Sequence, residues 1–461
     1  MKKSYFLSTL LASSVALAAC GGGGGNEEGG GNAEAEGNSG GEAGGEGATE
    51  SVVVGDDIEG ATELDFWTFA ETHAEFFEDA AERWNEENPD DPIQLTAEVY
   101  PFDQMHNNVL LALQSGSDAP DLVDLEIARF PNFLEGDIQL EPLNDLVEDE
   151  IDNFITERFD IYSKDGDYYG APTHLGATVV YYNTEITDEA GIDIDSIETW
   201  DDYVEAGQTV VEETGVPMTT ISTNWYGLWP FVAQQGSDFF DDDGELTLAN
   251  ETNVETLQFV SDMVNEHEIA EITPGEQNHS EEYYGFMNGG GAASTVMPLF
   301  FMSNFLAEMP DLAGKMEIRP MPVFNESDGR TVGMGGTGTA VTSQSENVDL
   351  AKEFLYFAKL SEEGNINLWT QLGFDPPRWD VWETEEIQAD SEFYEYFNDD
   401  IFDLLLDIRD EVEGVNITPH TPDVLDEIDT NVMFNVIREE TQTPQEALDQ
   451  AEEAVRPRMQ E

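Results

Sequence analysis

Apolar residues recur along this chain with two different spacings. Glu63-Leu-Asp-Phe-Trp-Thr-Phe69 alternates polar and apolar positions and predicts a strand. Thr72-His-Ala-Glu75 has the spacing of a capping box, and Phe76, Phe77, Ala80, Ala81 and Trp84 then fall on one helical face until Asn88-Pro89. Ile93 to Tyr100 predicts a second strand and Asp103 to Gln114 a second helix closed by Ser115-Gly116, while Asp121-Leu-Val-Asp-Leu125 predicts a third strand. Strands alternating with helices in this way predict a parallel α/β sheet.

A second block of the same kind follows. Tyr168 to Tyr182 is rich in β-branched and aromatic residues, and Thr199-Trp-Asp-Asp202 caps a helix reaching about Glu213. Asn250 to Glu266 and Ser280 to Met287 predict helices, and Ala292 to Val296 and Met316 to Pro320 predict strands. Asn347 to Leu360 is amphipathic, with Leu350, Phe354, Phe357 and Ala358 on one face. The last helix has Thr443 as N-cap, Pro444 at its first position and Glu446 at its third. No internal repeat is present.

The pattern stops at both ends of the first 60 residues. Lys2 and Lys3, an apolar stretch to Ala19 and then Leu17-Ala-Ala-Cys20 resemble a bacterial lipoprotein signal, so residues 1–20 are expected to be removed and Cys20 to carry the lipid. Residues 21–60 are Gly, Glu, Ala, Asn and Ser with few large apolar side chains, which predicts a flexible tether. Such a tether spans roughly 30–40 Å. Cys20 is the only cysteine, which excludes an intrachain disulfide and a cysteine-based metal site.

Charge sharpens the picture further. The 461 residues hold 100 Asp and Glu against 16 Lys and Arg, for a net charge of −84. Nucleic acid and anionic lipid surfaces would be repelled. The aromatic and apolar content beyond residue 60 excludes a disordered acidic chain, so the acids belong to a folded surface adapted to high salt, where screening limits self-repulsion. The expectation is a halophilic bacterial source.

Several motifs in order resemble the family 1 extracellular solute-binding proteins of carbohydrate ABC transporters, which share the maltose-binding-protein fold. They are Phe76 to Pro89, Leu113-Gln-Ser-Gly116 with Ala119-Pro-Asp-Leu-Val123, Tyr169-Gly-Ala-Pro172 with Tyr181-Tyr-Asn183, Ala190-Gly-Ile192, Glu198 to Asp202, Phe286 to Gly290, and Val341 to Phe357. The resemblance covers roughly residues 62 to 455. It implies a two-lobed type II clamp, each lobe a mostly parallel sheet flanked by helices. Three crossings join the lobes, near Thr173–Ala177, Arg319–Pro322 and Leu360. The first lobe would take residues 61–175 with 320–359, and the second 176–319 with 360–461. It also implies a monomer without catalysis, cofactor or metal. A sugar would be captured by lobe closure at the outer face of the membrane and handed to permease subunits. Trp67-Thr-Phe69, Tyr100 to Asn107 and Phe130-Pro-Asn-Phe133 look like the arabino-oligosaccharide-binding branch. Two other readings compete: an anchored polysaccharide-degrading enzyme, and a surface adhesin.

A sugar site needs flat aromatic surfaces and hydrogen-bonding groups. Trp67 and Phe69 end the first strand, where α/β sheets place ligands, with core and cleft placements both open. His73 follows them at a helix start. Trp225 and Trp229, four apart in Ser222 to Phe231, would share a helix face, with Trp225 toward ligand and Trp229 in the core. Arg378 and Trp379 lie in Gly373-Phe-Asp-Pro-Pro-Arg-Trp379, able to clamp and stack or to make a salt bridge. Asp124, Glu126 and His174 complete the candidate hydroxyl partners. Phe239 to Glu245 mimics a calcium loop but has the wrong ligand positions, and is expected to be a hairpin turn.

Val332-Gly-Met-Gly-Gly-Thr-Gly-Thr-Ala-Val341 matches G-x-G-x-x-G at Gly333, Gly335 and Gly338. A dinucleotide loop must lead from strand to helix. This one leads from a turn into the strand-like Thr339-Ala-Val-Thr342, so the nucleotide reading fails. The resemblance instead places Gly335, Gly336 and Thr337 beside the cleft, where bare backbone can approach a sugar. On that reading Gly336→Val weakens binding and leaves the fold intact.

Overall fold

The computed structural model describes residues 51–460 apart from 56–57, 59, 390 and 398–400. The leader with Cys20, and the tether as far as residue 50, lie outside the described residues. In chain order come β1 (Ser51–Val54), β2 (Thr62–Thr68), α1 (Glu71–Glu87), β3 (Ile93–Val99), α2 (Phe102–Ser115) and β4 (Leu122–Glu126). Next are β5 (Ala171–Pro172), β6 (Thr178–Asn183), α3 (Trp200–Thr214), β7 (Thr219–Ile221), α4 (Trp229–Ala233) and α5 (Glu251–Asn265). Then follow β8 (Ala270–Ile272), α6 (Glu281–Asn288), β9 (Ser294–Pro298), β10 (Met316–Pro320), β11 (Thr337–Val341), α7 (Val348–Leu355) and α8 (Pro444–Val455).

Two separate sheets organise the α/β body. The first has the order β1-β3-β2-β4-β11-β5. Its core is built by α1 and α7: Phe66 of β2 meets Phe77 at 4.4 Å, and Phe354 packs edge-on against Trp84 at 6.0 Å. The second sheet has the order β9-β6-β10, with the parallel pair β7–β8 beside it. Strand direction corrects the expectation of mostly parallel sheets. In the first sheet only β2–β3 and β2–β4 run parallel, while β1, β11 and β5 join antiparallel. In the second, β9 and β10 both flank β6 antiparallel. The late strands return from the other sheet rather than from a local crossover helix, which frees them from the parallel rule.

Local signals held where side chains supplied the cap. Thr199 Oγ1 accepts from Asp202 N at 3.1 Å while the Asp202 carboxylate accepts from Thr199 N at 2.9 Å, a closed capping box for α3. Thr443 and Glu446 do the same for α8. Thr72 does not cap α1, which starts two residues earlier with Ala70 at the N-cap. There the Thr68 hydroxyl accepts from Ala70 N at 3.3 Å, so the turn out of β2 is held from the strand side. The tether expectation ran too far: Ser51-Val-Val-Val54 forms the edge strand β1, because β-branched residues beside an open strand edge pair readily. Phe239 to Glu245 is a tight turn, with Gly244 N bonded to Asp241 O and an antiparallel bridge from Phe240 to Leu246.

One irregularity matters later. α7 runs into a π-turn over Tyr356–Leu360. The extra residue in that turn shifts the expected apolar face, so that Lys359 and Leu360 are buried behind Ala358. Among the described residues no helix is long and apolar enough to cross a membrane.

Candidate functional site

The ends of β2, β4 and β11 bring their polar side chains to one point. Asp124, 1% exposed, is the centre of the group. Its Oδ2 accepts the Thr68 hydroxyl at 2.9 Å and pairs with His73 Nδ1 at 2.9 Å, and its Oδ1 accepts the Thr339 hydroxyl at 2.6 Å. Lys359, brought inward by the π-turn, donates to Thr339 Oγ1 at 2.7 Å, Thr173 Oγ1 at 2.7 Å and Ala171 O at 3.1 Å. Burial alone would raise the Asp124 carboxyl. The hydrogen bond and charge of His73, the charge of Lys359 and the Thr339 hydroxyl outweigh it and hold the carboxyl below its ordinary range. With Nδ1 tied to Asp124, the His73 ring is fixed edge-on to Phe374 at 6.1 Å.

From His73 a series of ring contacts passes between the two sheets. Phe374 meets His174 at 5.0 Å, and His174 meets Phe300 at 5.5 Å. Phe300 lies nearly parallel to His279 at 6.2 Å and 19°, and His279 meets Tyr226 at 6.0 Å. Tyr226 stacks on Trp225 at 3.7 Å. These residues come from distant parts of the chain: α1, the segment between β5 and β6, the turn before α4, the residues before α6 and after β9, and the loop at 373–379. The segment between β5 and β6 is pinned beneath them. The fully buried Asp375 carboxylate accepts Gly176 N at 3.1 Å and Ala177 N at 2.8 Å, and Leu175 N bonds Asp375 O at 2.8 Å. His174 Nδ1 stands 3.9 Å from Asp375, beyond hydrogen-bond reach. Flat rings edged by hydroxyl, imidazole and carboxylate groups suit a neutral polyhydroxylated ligand better than a charged one.

The glycine stretch forms one wall. Arg158, 1% exposed, donates to Gly333 O at 3.2 Å and Gly335 O at 2.5 Å, and Ile127 N bonds Gly336 O at 2.9 Å. A Cβ on Gly335 would stand 3.2 Å from Phe300 and 3.7 Å from the Tyr226 hydroxyl, so this backbone packs directly on the ring series. Thr337 opens β11 fully buried, its carbonyl bonded by Thr173 N and Oγ1. The expectation that Gly336→Val leaves the fold intact is corrected. Gly336 has φ +132°, and a Cβ there would stand 2.3 Å from Arg158 Nη2. Valine at this position is therefore expected to cost at least about 2 kcal/mol in strain and overpacking. Thermal denaturation of Gly336→Val checks it, and an unchanged midpoint would show that Arg158 yields.

The other candidates divide. Phe69 is core, 1% exposed, between Phe102 at 5.1 Å and His106 at 5.4 Å. Trp67 is on the face of β2 opposite Phe66, half-buried with its ring against Tyr100 at 5.4 Å. Glu126 turns back on its own strand end, accepting Ala128 N at 2.9 Å. Trp225 and Trp229 do not share a helix: a 3-10 turn over Trp225–Gly227 ends at Leu228 before α4 begins. Trp225 does join the ring series, and Trp229 is core, bonded to Asp238 at 2.8 Å and stacked on Phe239. Arg378 and Trp379 stand away from the series. Arg378 binds Glu150, Asp380 and Leu360 O, and Trp379 Nε1 bonds Asp152 O at 3.0 Å beneath Arg409. In so acidic a chain a scarce cation is drawn to neighbouring carboxylates.

Sequence reasoning missed Tyr226, Phe300, Phe374, His279, Arg158, Asp375 and Lys359. Tyr226, Phe374 and Asp375 lie inside stretches already singled out, Tyr226 next to the chosen Trp225 and the other two a few positions before Arg378. Lys359 carried a faint signal, a lysine within the apolar run Phe357-Ala-Lys-Leu360. A cavity of about 790 Å³ also opens elsewhere, between residues 131–164 and residues 236–250 with 413–419. It has room for an oligosaccharide, but Phe240 is its one aromatic lining residue among those described, and Glu157, Asp160, Asp241, Asp242 and Glu413 are among the acids that line it. Size alone does not make it a sugar site. Among the described residues no cluster of His, Cys, Asp and Glu could hold a metal ion.

Residues 70–364 match the model of the bacterial extracellular solute-binding protein family. An arabinooligosaccharide-binding protein of Halalkalibacterium halodurans is 59% identical over 415 residues, covering 90% of this chain and 93% of that one. A protein of the same name from Bacillus subtilis is 46% identical over 396 residues, 85% of this chain and 91% of that one. Among solved structures, the sugar-binding protein MalE of Xanthomonas citri matches with TM-score 0.72 at 19% identity, over 86% of this chain and 98% of that one. Lmo0181 of Listeria monocytogenes, in complex with cycloalternan, matches with TM-score 0.69 at 19% identity, over 87% and 99%. These neighbours share the two-lobed fold and are substrate-binding proteins, not enzymes. By the family model and by its long relatives, this chain belongs to the bacterial extracellular solute-binding proteins.

Proposed function

We propose that this protein captures an arabinose-containing oligosaccharide between its lobes and delivers it to the permease of an ABC importer. The observation that carries this reading is the ring series from His73 to Trp225, which bridges the two sheets and ends on the Asp124 network. Each ring can cover one sugar face, and the series is long enough for more than one sugar unit. The names of the two long relatives support the arabinose assignment.

The lobes are taken as residues 61–175 with 320–359, and 176–319 with 360–461. The ligand-contacting set is His73, His174, Tyr226, Trp225, Phe300, Phe374 and Gly335. In the same reading the mature chain begins at Cys20, is lipid-anchored there, and works as a monomer on the outer face of the membrane at the end of its tether. Isothermal titration against α-1,5-linked arabinotriose, arabinose, maltotriose and lactose tests the ligand. Binding of arabinotriose well above the others is expected. Binding of maltotriose or lactose alone would overturn the arabinose assignment, and binding of no sugar would overturn the ligand class.

A further inference from the structure

Among the described residues His279 Nε2 is buried without a hydrogen-bond partner. Buried polar groups are almost always satisfied, and an orphaned one costs about 1–3 kcal/mol, so the exception calls for a reason. The ring is held on several sides. Phe300 lies nearly parallel to it at 6.2 Å, Phe301 stands edge-on at 5.3 Å, and Tyr226 is 6.0 Å away. Its backbone is set by the next residue, since Ser280 caps α6 by accepting Tyr283 N at 3.2 Å. Phe300 and Tyr226 are also the residues that pack on Gly335. The unpartnered nitrogen thus sits within the ring series, on the second-lobe side.

We propose that His279 is a ligand-contacting residue whose Nε2 hydrogen-bonds a sugar hydroxyl while Phe300 carries the sugar face. The proposal rests on the carbohydrate reading above and adds a residue that selects for a hydroxyl at one place. Burial pushes the imidazole down to about 4, so the ring is neutral at ordinary pH. A neutral ring offers one N–H donor and one lone pair, a match for a hydroxyl, which can act as either partner. A site built to bond a hydroxyl rejects analogues lacking it far more strongly than an apolar pocket does.

The test compares His279→Phe and His279→Gln with the parent protein by titration with α-1,5-linked arabinotriose. Phenylalanine keeps the ring packing and removes the nitrogen. At least about a tenfold loss of affinity is expected, equivalent to about 1.4 kcal/mol, with glutamine recovering part of it. An affinity within about twofold of the parent in His279→Phe, in a parent that binds the sugar, overturns the role of His279 and leaves the proposed function standing. A parent that binds no sugar overturns both. If His279→Phe does not fold, long-range ¹H–¹⁵N spectra of the parent decide: a shift of the His279 Nε2 resonance on adding arabinotriose supports the contact, and an unmoved resonance overturns it.

Discussion

Replacing Asp124 with alanine is expected to lower the unfolding free energy by about 3–5 kcal/mol and to abolish measurable sugar binding. The size follows from what the carboxylate holds. Removing it strips the His73 ring of its anchor and takes a stabilising negative charge away from the Lys359 ammonium, 1% exposed. It also leaves the Thr68 and Thr339 hydroxyls without their acceptor. A buried cation that loses a compensating charge is destabilising, so Asp124→Ala/Lys359→Met is expected to be more stable than Asp124→Ala alone. The pH dependence has a definite sign. Because the folded-state Asp124 carboxyl is held below its ordinary value, its contribution is present above the unfolded carboxylate range. It is lost as pH falls through the lower folded value, and the alanine variant lacks that part of the acid transition. Urea denaturation at pH 7 and at about pH 2.5, below the ordinary carboxylate value, measures both effects. A loss under about 1 kcal/mol would show that water replaces the carboxylate and that the network is peripheral.

The second large effect is on salt. A chain of net charge −84 repels itself in its compact state, and 16 cationic side chains cannot neutralise 100 acids. The few cations are already engaged: Arg330 with Asp407 and Glu411, Arg319 with Asp195 and Glu317, Lys352 with Asp145. Raising potassium chloride from about 0.1 M to about 1 M shortens the Debye length from about 10 Å to about 3 Å. Screening of repulsion should therefore outweigh the weakening of exposed ion pairs, each worth under about 1 kcal/mol. The thermal midpoint is expected to rise by at least about 5 °C, as a gain of a few kcal/mol produces. A midpoint that stays flat or falls would sink the proposal of a high-salt habitat, while leaving the sugar site untouched.

Fold and site were legible to different depths. Helix caps at Thr199 and Thr443 could be read directly, since each motif satisfies its own backbone within four residues. So could β2, β3, β4 and β10, whose alternation or apolar runs mark them. Strand direction could not, because Tyr168 to Tyr182 reads as one extended run yet contributes β5 to one sheet and β6 to the other. Nor could the conformation around Trp225 and Trp229, where a helical spacing of four conceals a 3-10 turn. The aromatic stretches 222–231 and 373–379 both supply members of the ring series, but these are Tyr226 and Phe374 rather than Trp229 and Trp379. Within a loop, neighbouring aromatics are equivalent in composition, and only packing decides which one joins the ring series.

The sequence by itself determined the class of the protein: a two-lobed α/β solute-binding chain, strongly acidic, with its glycine stretch leading into a strand rather than cradling a phosphate. These follow from short-range patterns and from the order of motifs, which a linear chain records. Only the tertiary structure decided which groups meet. Asp124, His73, Thr339 and Lys359 are separated by up to 286 residues, and the Lys359 position depends on one π-turn. Buried polar networks and ring contacts between distant segments are long-range, so no local pattern marks their members until the chain has brought them together.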